Sequence, residues 1–338
     1  MKLKLNNELP EFNIAVRAVK LMQETFKNEY AQDVFFNKHF CNPNRVVNPV
    51  DIISENGFDA GVGCFLGMKI LNNEGGYSKK ELIVTQNCEL CVHPDFQGKG
   101  FFHKIIDERE NKDKESQFIF ALPNEKSFPA FMKNGYSNCA DITRYRKYTN
   151  RYVSLIKKVI RKLIGKKPKI NSVIDACNVK ELSNYFSNVE YDEINSVGIR
   201  FERSEELFRW LFSQKKSEYL LKEYDENKNL IAYVIFRHEY CPLGTVIAVD
   251  DWYSKNGNSE YFKRIINKLS RRCDMIEIYT VNEKIDGEFM RKAGLTNIKL
   301  YEKNFKDRPL VSSPNGEKYS WFERVSIRNI DDDYFFYE

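Results

Sequence analysis

The chain has 338 residues, of which 42% are apolar and 30% are charged, a composition typical of a globular protein with two domains. It contains no run of eighteen apolar residues, and its first twelve residues lack the apolar stretch and cleavage site of a secretory signal. We therefore expect a cytoplasmic protein with reduced cysteines, and the sequence argues against a secreted or membrane-spanning one.

In chain order, the first half alternates helical and strand patterns. Apolar spacing predicts helices over 11–30, 101–110 and 127–133, and strands over 51–55, 61–71, 82–92 and 117–122. Asn56-Gly57 predicts a tight turn between the first two strands, and Asn134-Gly135 predicts the end of the third helix. This order indicates an α/β fold built around a mixed sheet.

The net charge of +5 is concentrated in the segment that follows. Residues 151–169 hold eight basic and no acidic residues, so the rest of the chain is net negative, which argues against a general nucleic-acid binder. Their apolar side chains fall on one helical stripe. This pattern predicts a basic linker helix between two domains. The alternative is a weak peripheral contact with an anionic membrane, at its inner face.

The second half repeats the order of the first. Strands are predicted over 219–224, 230–237, 246–252 and 275–281, and helices over 259–272 and 284–292. The segment FMKNGY at 131–136 is echoed by FMRKAGL at 289–295, which suggests an internal duplication. We predict a first domain over 1–150, the linker over 151–169 and a second domain over 170–338.

The eight cysteines are scattered, and only Cys88 and Cys91 form a CxxC pair. No second pair or neighbouring histidine completes a zinc set. Both cysteines fall in a predicted strand, where positions three apart point to opposite faces. We therefore expect no metal site.

A glycine-rich turn connects the strand ending at Val92 to the helix beginning near Phe101. Pyrophosphate oxygens are held well by backbone N–H groups at a helix N-terminus, and glycines allow the backbone to come close. Gly98 and Gly100 provide this closeness, and Lys99 adds a positive charge. The order of residues excludes a Walker loop, and a third glycine is missing for a dinucleotide fingerprint.

The string CVHPDFQGKG at 91–100 resembles motif A of the GNAT superfamily of acyl-CoA-dependent N-acyltransferases. The resemblance extends to PNEKS at 123–127, Phe131 and Gly135-Tyr136, which are similar to motif B, and it covers roughly residues 50–140. It implies a GNAT fold with two GNAT-like halves packed together, and acetyl-CoA or another acyl-CoA as cosubstrate. The family separates two adjacent strands to make the slot for this cosubstrate.

The resemblance also implies roles for individual residues. Leu90, Cys91 and Val92 would pair their backbone with the pantetheine arm, with an N–H near Val92 facing the oxyanion. Asn124 and Ser127 would lie near the pantetheine or thioester. The pyrophosphate would be surrounded by Gln97, Gly98, Lys99, Gly100, Phe101 and Phe102.

The catalytic groups are less clearly indicated. Glu89, on the strand before the turn, is the first candidate for the general base, with a solvent-facing or structural carboxylate as the alternative. The sequence departs from the family pattern at Asp95, the first position of its QxxGxG motif, and at Phe131, where a tyrosine often protonates the leaving thiolate. Tyr136 lies five residues further on. Protonation of the thiolate is therefore unassigned at this point, with solvent and a residue of the second half as the alternatives.

Other polar residues were weighed as site residues. His93 enters the glycine turn, and His103 is expected to contact coenzyme or solvent. The corresponding turn of the second half carries Asp250 and Asp251, whose charges would repel a pyrophosphate, so this half is expected to bind no coenzyme A. Trp210 is interpreted as a core residue and 331–333 as a solvated turn, with the acceptor site as the alternative for both.

Three functions remain open at this point. The first is acyl transfer, most simply of an acetyl group, from coenzyme A to the amine of a small acceptor such as an amino sugar or an amino-acid-like metabolite. The second is aminoacyl transfer to a cell-wall precursor, which has no need of a pyrophosphate turn. The third is a non-catalytic acyl-CoA-binding module, which the phenylalanine at position 131 leaves open.

Overall fold

The computed structural model describes residues 10–27, 30–72, 80–112, 116–149, 199–212, 219–241, 244–302, 306–314 and 325–326. The basic segment 151–169 and residues 331–333 lie outside this part of the chain, so the predictions for them stay predictions. No helix in the described ranges is long and apolar enough to cross a bilayer.

The first series of elements begins with two helices and continues as an alternating α/β run. Its members are α1 (Pro10–Phe26), α2 (Gln32–Phe40), β1 (Val50–Glu55), β2 (Phe58–Asn72), β3 (Lys80–Val92), α3 (Phe101–Lys112), β4 (Ile119–Ala121), α4 (Phe128–Lys133) and β5 (Ser137–Tyr148). Asn56 and Gly57 both have positive φ, 53° and 82°, as the predicted tight turn between β1 and β2 requires. The helices and strands predicted for this half are confirmed, whereas α2 and β5 were not predicted.

The second series follows a similar order. Its members are β6 (Ile199–Phe201), α5 (Glu205–Leu211), β7 (Tyr219–Tyr224), β8 (Leu230–Cys241), β9 (Gly244–Ser254), α6 (Ser259–Ser270), β10 (Met275–Asn282), α7 (Glu283–Lys292), β11 (Thr296–Asn297), β12 (Arg308–Ser312) and β13 (Val325–Ser326). The six predicted elements of this half are all present. Asn258 and Asn282 cap α6 and α7, each accepting a hydrogen bond from the backbone N–H two residues on.

The described strands form one mixed sheet in which the two series exchange their late strands. The order is β13-β6-β2-β3-β4-β12-β5-β10-β9-β8-β7, with β1 on β2 and β11 on β5. The strand β12 from the second series pairs with β4, through Val311 opposite Ala121. The strand β5 from the first series pairs with β10, through Met275 opposite Tyr148. Each series thus completes the sheet of the other.

A shared core holds the two series together on one face of this sheet. The cluster combines α1, α2 and α5 with Val62 and Cys88 of the first series and with Tyr233 and Tyr253 of the second. The opposite face is covered by α3 and α4 on the first series and by α6 and α7 on the second. Trp210 belongs to the shared core and donates from Nε1 to the carbonyl of Asn37 at 2.7 Å, which favours the core interpretation of this residue.

Candidate functional site

The strands β3 and β4 separate after a short paired stretch. They are parallel and pair only from Thr85 opposite Ile119 to Asn87 opposite Ala121. Beyond Asn87, β3 continues to Val92 with hydrogen bonds to β2 on its other side. The segment 88–92 therefore has an edge that β4 does not cover, and this edge borders a slot between the two strands.

A β-bulge marks the point at which the strands separate. Val62 lies opposite Cys91 but Cys64 lies opposite Cys88, so β3 contains one residue more than β2 over this stretch. Glu89, within the bulge, has φ of 45°, a left-handed conformation that is uncommon for a residue with a side chain. A bulge bends the strand that carries it, and here it follows directly on the last pairing of β3 with β4, at Asn87.

The bulge also corrects the expectation for the two cysteines. Cys88 and Cys91 were expected on opposite faces, but both lie in the shared core with Cys64. The extra residue shifts the alternation of side chains by one position, which brings residues three apart to the same face. All three are free thiols, and burial raises the pKa of Cys64 and that of Cys91, the latter to about 12.

The glycine turn lies immediately after the uncovered edge. A short 3-10 helix at Pro94–Phe96 leads into residues 97–100, and α3 begins at Phe101. Gly98 and Gly100 have φ of 77° and 82°, and a Cβ placed on either would meet no atom within 4 Å. The first N–H groups of a helix have no intrahelical acceptor. The turn thus presents glycine backbone and the α3 N-terminus to open space, as a pyrophosphate requires.

The side chains around the turn are mainly structural. Gln97 donates from Nε2 to the carbonyl of Val92 at 3.1 Å and closes the turn. Phe101 is buried against Ile105, so its backbone is the part that faces the turn. Lys99 places its ammonium 4.8 Å from the centre of the Phe96 ring, beside the glycines.

Asn124 and Ser127 organise the start of α4 on the other side of the slot. The Asn124 side-chain oxygen accepts from the N–H groups of Lys126 at 2.9 Å and Ser127 at 3.0 Å. The Ser127 hydroxyl accepts from the N–H of Asn124 at 3.1 Å. The expected contact of both residues with a pantetheine arm stays a prediction, and their hydrogen bonds close the turn over 124–127 that precedes α4.

The geometry does not favour Tyr136 as the acid for the leaving group. Its side chain is buried, its hydroxyl accepts from Asn87 Nδ2 at 3.1 Å, and it donates to the Glu110 carboxylate. Burial, followed by the charge of Glu110, raises the pKa of this phenol well above its usual value. Phe131 packs edge-on against the same ring, with 5.1 Å between centroids. The two residues form part of the contact between α3, α4 and β3.

This arrangement predicts a small effect of Tyr136→Phe on the rate. The substitution removes partners of Asn87 and Glu110, so we expect unfolding to become easier by about 1–2 kcal/mol. The turnover number with any accepted amine should stay within about threefold, because a general acid normally contributes roughly 100-fold or more. Urea unfolding and steady-state kinetics measure both quantities. A drop of the larger size with unchanged stability would restore Tyr136 as the acid.

Glu89 lies in a buried ionic cluster that the sequence analysis did not anticipate. Its carboxylate accepts from Lys38 Nζ at 2.8 Å and lies 2.6 Å from His39 Nε2. The side chains of Lys38 and His39 are fully buried, and that of Glu89 is 8% exposed. Burial opposes ionisation of Glu89, but the two partners outweigh it and hold its pKa well below the usual value. Burial lowers the pKa of His39, which favours the neutral ring.

His93, His103 and the aspartate pair have structural partners. His93 Nδ1 accepts from the N–H of Asp95 at 3.3 Å, and the His103 ring contacts the side chain of Asn134. Asp250 and Asp251 were expected at a turn, but they lie fully buried within β9, paired with Arg237 and Arg203. Their charges are therefore neutralised inside the sheet and do not face the turn that follows β9.

Comparisons with known proteins support the fold and name no family for the sequence. No family model matches the sequence, and a search of curated proteins finds no match. Many solved structures have a similar fold, and they include two that superpose on most of the chain. A GCN5-related N-acetyltransferase from Anabaena variabilis ATCC 29413 has a TM-score of 0.61 at 12% identity, over 90% of this chain and 70% of that one. A conserved protein of unknown function from Enterococcus faecalis V583, described as a probable N-acyltransferase, has a TM-score of 0.60 at 11% identity, over 89% and 70%.

The chain has a GNAT-like fold. This confirms the fold class expected from the motifs, an α/β arrangement around a large mixed sheet. At such low identity the superposition establishes the fold alone, and activity has to be argued from the site. In this GNAT-like chain the candidate site is the slot between β3 and β4 with the glycine turn and the N-terminus of α3.

Proposed function

We propose that this chain is an acyl-CoA-dependent N-acyltransferase, with acetyl-CoA as the first donor to test and a small amine as acceptor. One observation carries the proposal. The uncovered edge of β3 at 88–92 runs directly into the open glycine turn at 97–100 and the N-terminus of α3. A ligand with an extended arm that ends in a pyrophosphate fits this arrangement. The arm needs backbone partners like those of a strand, and the pyrophosphate needs converging N–H groups.

Different residues of β3 and the glycine turn would bind different parts of the coenzyme. Backbone groups of Leu90, Cys91 and Val92 would hydrogen-bond the pantetheine amides as an added strand does. Backbone N–H groups over 97–102 would bind the pyrophosphate, and the dipole of α3 favours its negative charge. Lys99 would add a positive charge. No metal is needed for this binding.

The reaction proposed is direct attack of a neutral amine on the thioester. The amine nitrogen forms a bond to the acyl carbon and loses one proton to solvent, the C–S bond breaks, and the leaving thiolate of coenzyme A takes up one proton. An N–H of the β3 edge near Val92 would stabilise the oxyanion. Because Tyr136 is bound to Asn87 and Glu110 and residue 131 is a phenylalanine, we assign thiolate protonation to solvent.

Calorimetry on the full chain tests the donor half of the proposal. We expect acetyl-CoA to bind with micromolar affinity, and free tRNA to give no heat, although an aminoacyl transferase that uses charged tRNA as donor would bind it. Thiol release is then followed across a panel of amino sugars and amino-acid-like amines. No binding of acetyl-CoA at high micromolar concentration would refute the proposal.

A non-catalytic acyl-CoA-binding module is the second candidate. The engagement of the Tyr136 hydroxyl by Asn87 and Glu110 supports it, because this leaves the site without an evident proton donor among the described residues. Binding of the coenzyme along β3 and the glycine turn does not need one. Binding of acetyl-CoA without thiol release from any amine of the panel would support this module over the enzyme.

We also retain the proposed division into a first domain over 1–150 and a second over 170–338. The similar order β2-β3-α3-β4-α4 and β8-β9-α6-β10-α7 supports it. A second point of support is that β3 and β9 both carry a bulge, since Ile235 and Phe236 of β8 lie opposite Asp251 and Val249 of β9. In this proposal the second domain binds no coenzyme A and shapes the acceptor side.

A further inference from the structure

Glu89 combines two features that are unfavourable on their own. Its backbone is left-handed at φ 45°, and its carboxylate is almost completely removed from solvent. A strained conformation of this kind persists only where the surrounding structure over-determines it. A buried carboxylate likewise persists only where it is paired. Both requirements are met at the same residue.

The helix α2 supplies both partners from adjacent positions. Lys38 and His39 lie at its C-terminal end and reach the two different oxygens of the carboxylate. The helix itself is fixed in the shared core by Phe35 and Phe40, and the carbonyl of Asn37 accepts from Trp210. The bulge is thereby tied to a helix that is rigidly packed.

We propose that Glu89 is a positioning residue, which Lys38 and His39 clamp so that the β3 bulge keeps the slot between β3 and β4 open. The bulge is the point after which β3 loses its pairing with β4, at Asn87. Fixing the Glu89 carboxylate fixes the backbone of 88–92, whose uncovered edge borders the slot. The identity of the ligand in this slot rests on the proposed function, whereas the clamp itself does not.

This role competes with that of a general base. A base needs an oxygen free to accept the proton of the amine and a pKa near the working pH. Both oxygens of Glu89 are already engaged, and the ammonium of Lys38 stabilises the charged form. The cluster therefore retains its charge and its geometry during turnover.

A metal site is the other interpretation of this cluster. Ligand atoms of His39, Cys88 and Glu89 lie within 4.8 Å of one another. However, the ammonium of Lys38 already lies 2.8 Å from one Glu89 oxygen, and His39 Nε2 lies 2.6 Å from the other. A cation placed between them would be repelled by Lys38, so the clamp accounts better for these contacts.

Hydrogen exchange without any coenzyme tests the clamp directly. In Glu89→Gln we expect the backbone amides of 88–92 to exchange roughly tenfold faster or more than in the unmodified protein, because the bulge opens locally. The matched control is Asp250→Asn, which removes the charge from the buried bulge carboxylate of β9. It should leave exchange over 88–92 unchanged. Equal exchange in Glu89→Gln and the unmodified protein would overturn the proposal.

Binding and kinetics separate positioning from base catalysis. For Glu89→Gln we expect the Kd of acetyl-CoA to rise about tenfold, while kcat at saturation stays within about fivefold and its pH profile keeps its acidic limb. An unchanged Kd with kcat reduced roughly 100-fold or more and loss of the acidic limb would make Glu89 the base and refute the clamp.

Two further outcomes are distinguishable. If the unmodified protein binds no acetyl-CoA, the proposed function fails, and the exchange comparison still decides on the clamp. If Glu89→Gln does not fold, Lys38→Met combined with Glu89→Leu removes both buried charges and is measured in the same way. Normal protection over 88–92 in this charge-free pair would contradict the clamp.

Discussion

Gly98→Asp is expected to abolish acetyl-CoA binding while the protein stays folded. The new side chain has room, since a Cβ at Gly98 meets nothing within 4 Å. The left-handed backbone, at φ 77°, costs a non-glycine residue about 1 kcal/mol, and aspartate tolerates it better than most. The open space in front of the turn is where we place the pyrophosphate. A carboxylate there adds bulk and like charge, so affinity should fall on the order of 100-fold, about 2.7 kcal/mol, or more. Gly100→Asp should behave in the same way.

Gly257→Asp is the matched control for this prediction. Gly257 lies in the turn between β9 and α6, has φ of 64°, and likewise has no atom within 4 Å of an added Cβ. The substitution therefore introduces the same charge and a similar backbone strain at the corresponding turn of the second series. Calorimetry should give an unchanged Kd for acetyl-CoA, and thermal unfolding should show similar small losses in both variants. Unchanged affinity in Gly98→Asp would show that the turn is not the pyrophosphate site.

Asp251→Ala is expected to destabilise the protein by about 3–5 kcal/mol, the usual result of removing one partner from a buried ion pair. Asp251 is completely buried and accepts from Arg203 Nε at 3.1 Å and from the Tyr233 hydroxyl at 2.9 Å. Arg203 follows β6, which pairs with β2 of the first series, whereas Asp251 lies in β9 of the second. The substitution removes this carboxylate from a buried guanidinium at the contact between the two series.

Two comparison variants isolate the cause of this loss. Asp59→Ala removes a similar carboxylate from Arg17, whose side chain is 50% exposed, and should cost less than about 1 kcal/mol. Arg203→Met combined with Asp251→Leu removes both charges and should recover most of the stability. Urea unfolding measures all three. Losses of equal size at Asp59 and Asp251 would show that burial of the pair is not what matters.

The sequence predicted well those elements whose side chains alternate or repeat regularly. The turn at Asn56-Gly57, the strands around it and the helices α3 and α6 follow from local pattern and local φ preferences. The helix α2 was missed because Asn37, Lys38 and His39 are buried along with its phenylalanines. This burial of polar residues removes the amphipathic signal on which a helix prediction depends. With α2, the partners of Glu89 were missed as well.

The exchange of late strands had no local signal. Pairing of β12 with β4 and of β5 with β10 joins residues more than 100 positions apart. Nothing in the alternation of β5 specifies which neighbour it will have, since hydrogen bonds between strands are made by backbone that every residue shares. The bulge at Glu89 had no signal either, and it placed Cys88 and Cys91 on the same face.

By itself, the sequence determined the glycine turn and its context. Gly98 and Gly100 between a strand and a helix are a local arrangement, because φ preference and the helix N-terminus depend only on nearby residues. The tertiary structure alone decided what surrounds that turn. It brought Lys38 and His39 to Glu89, turned Tyr136 towards Glu110 and buried Asp250 and Asp251 against arginines. These contacts join residues distant in sequence, and their strength comes from burial, which only the folded chain provides.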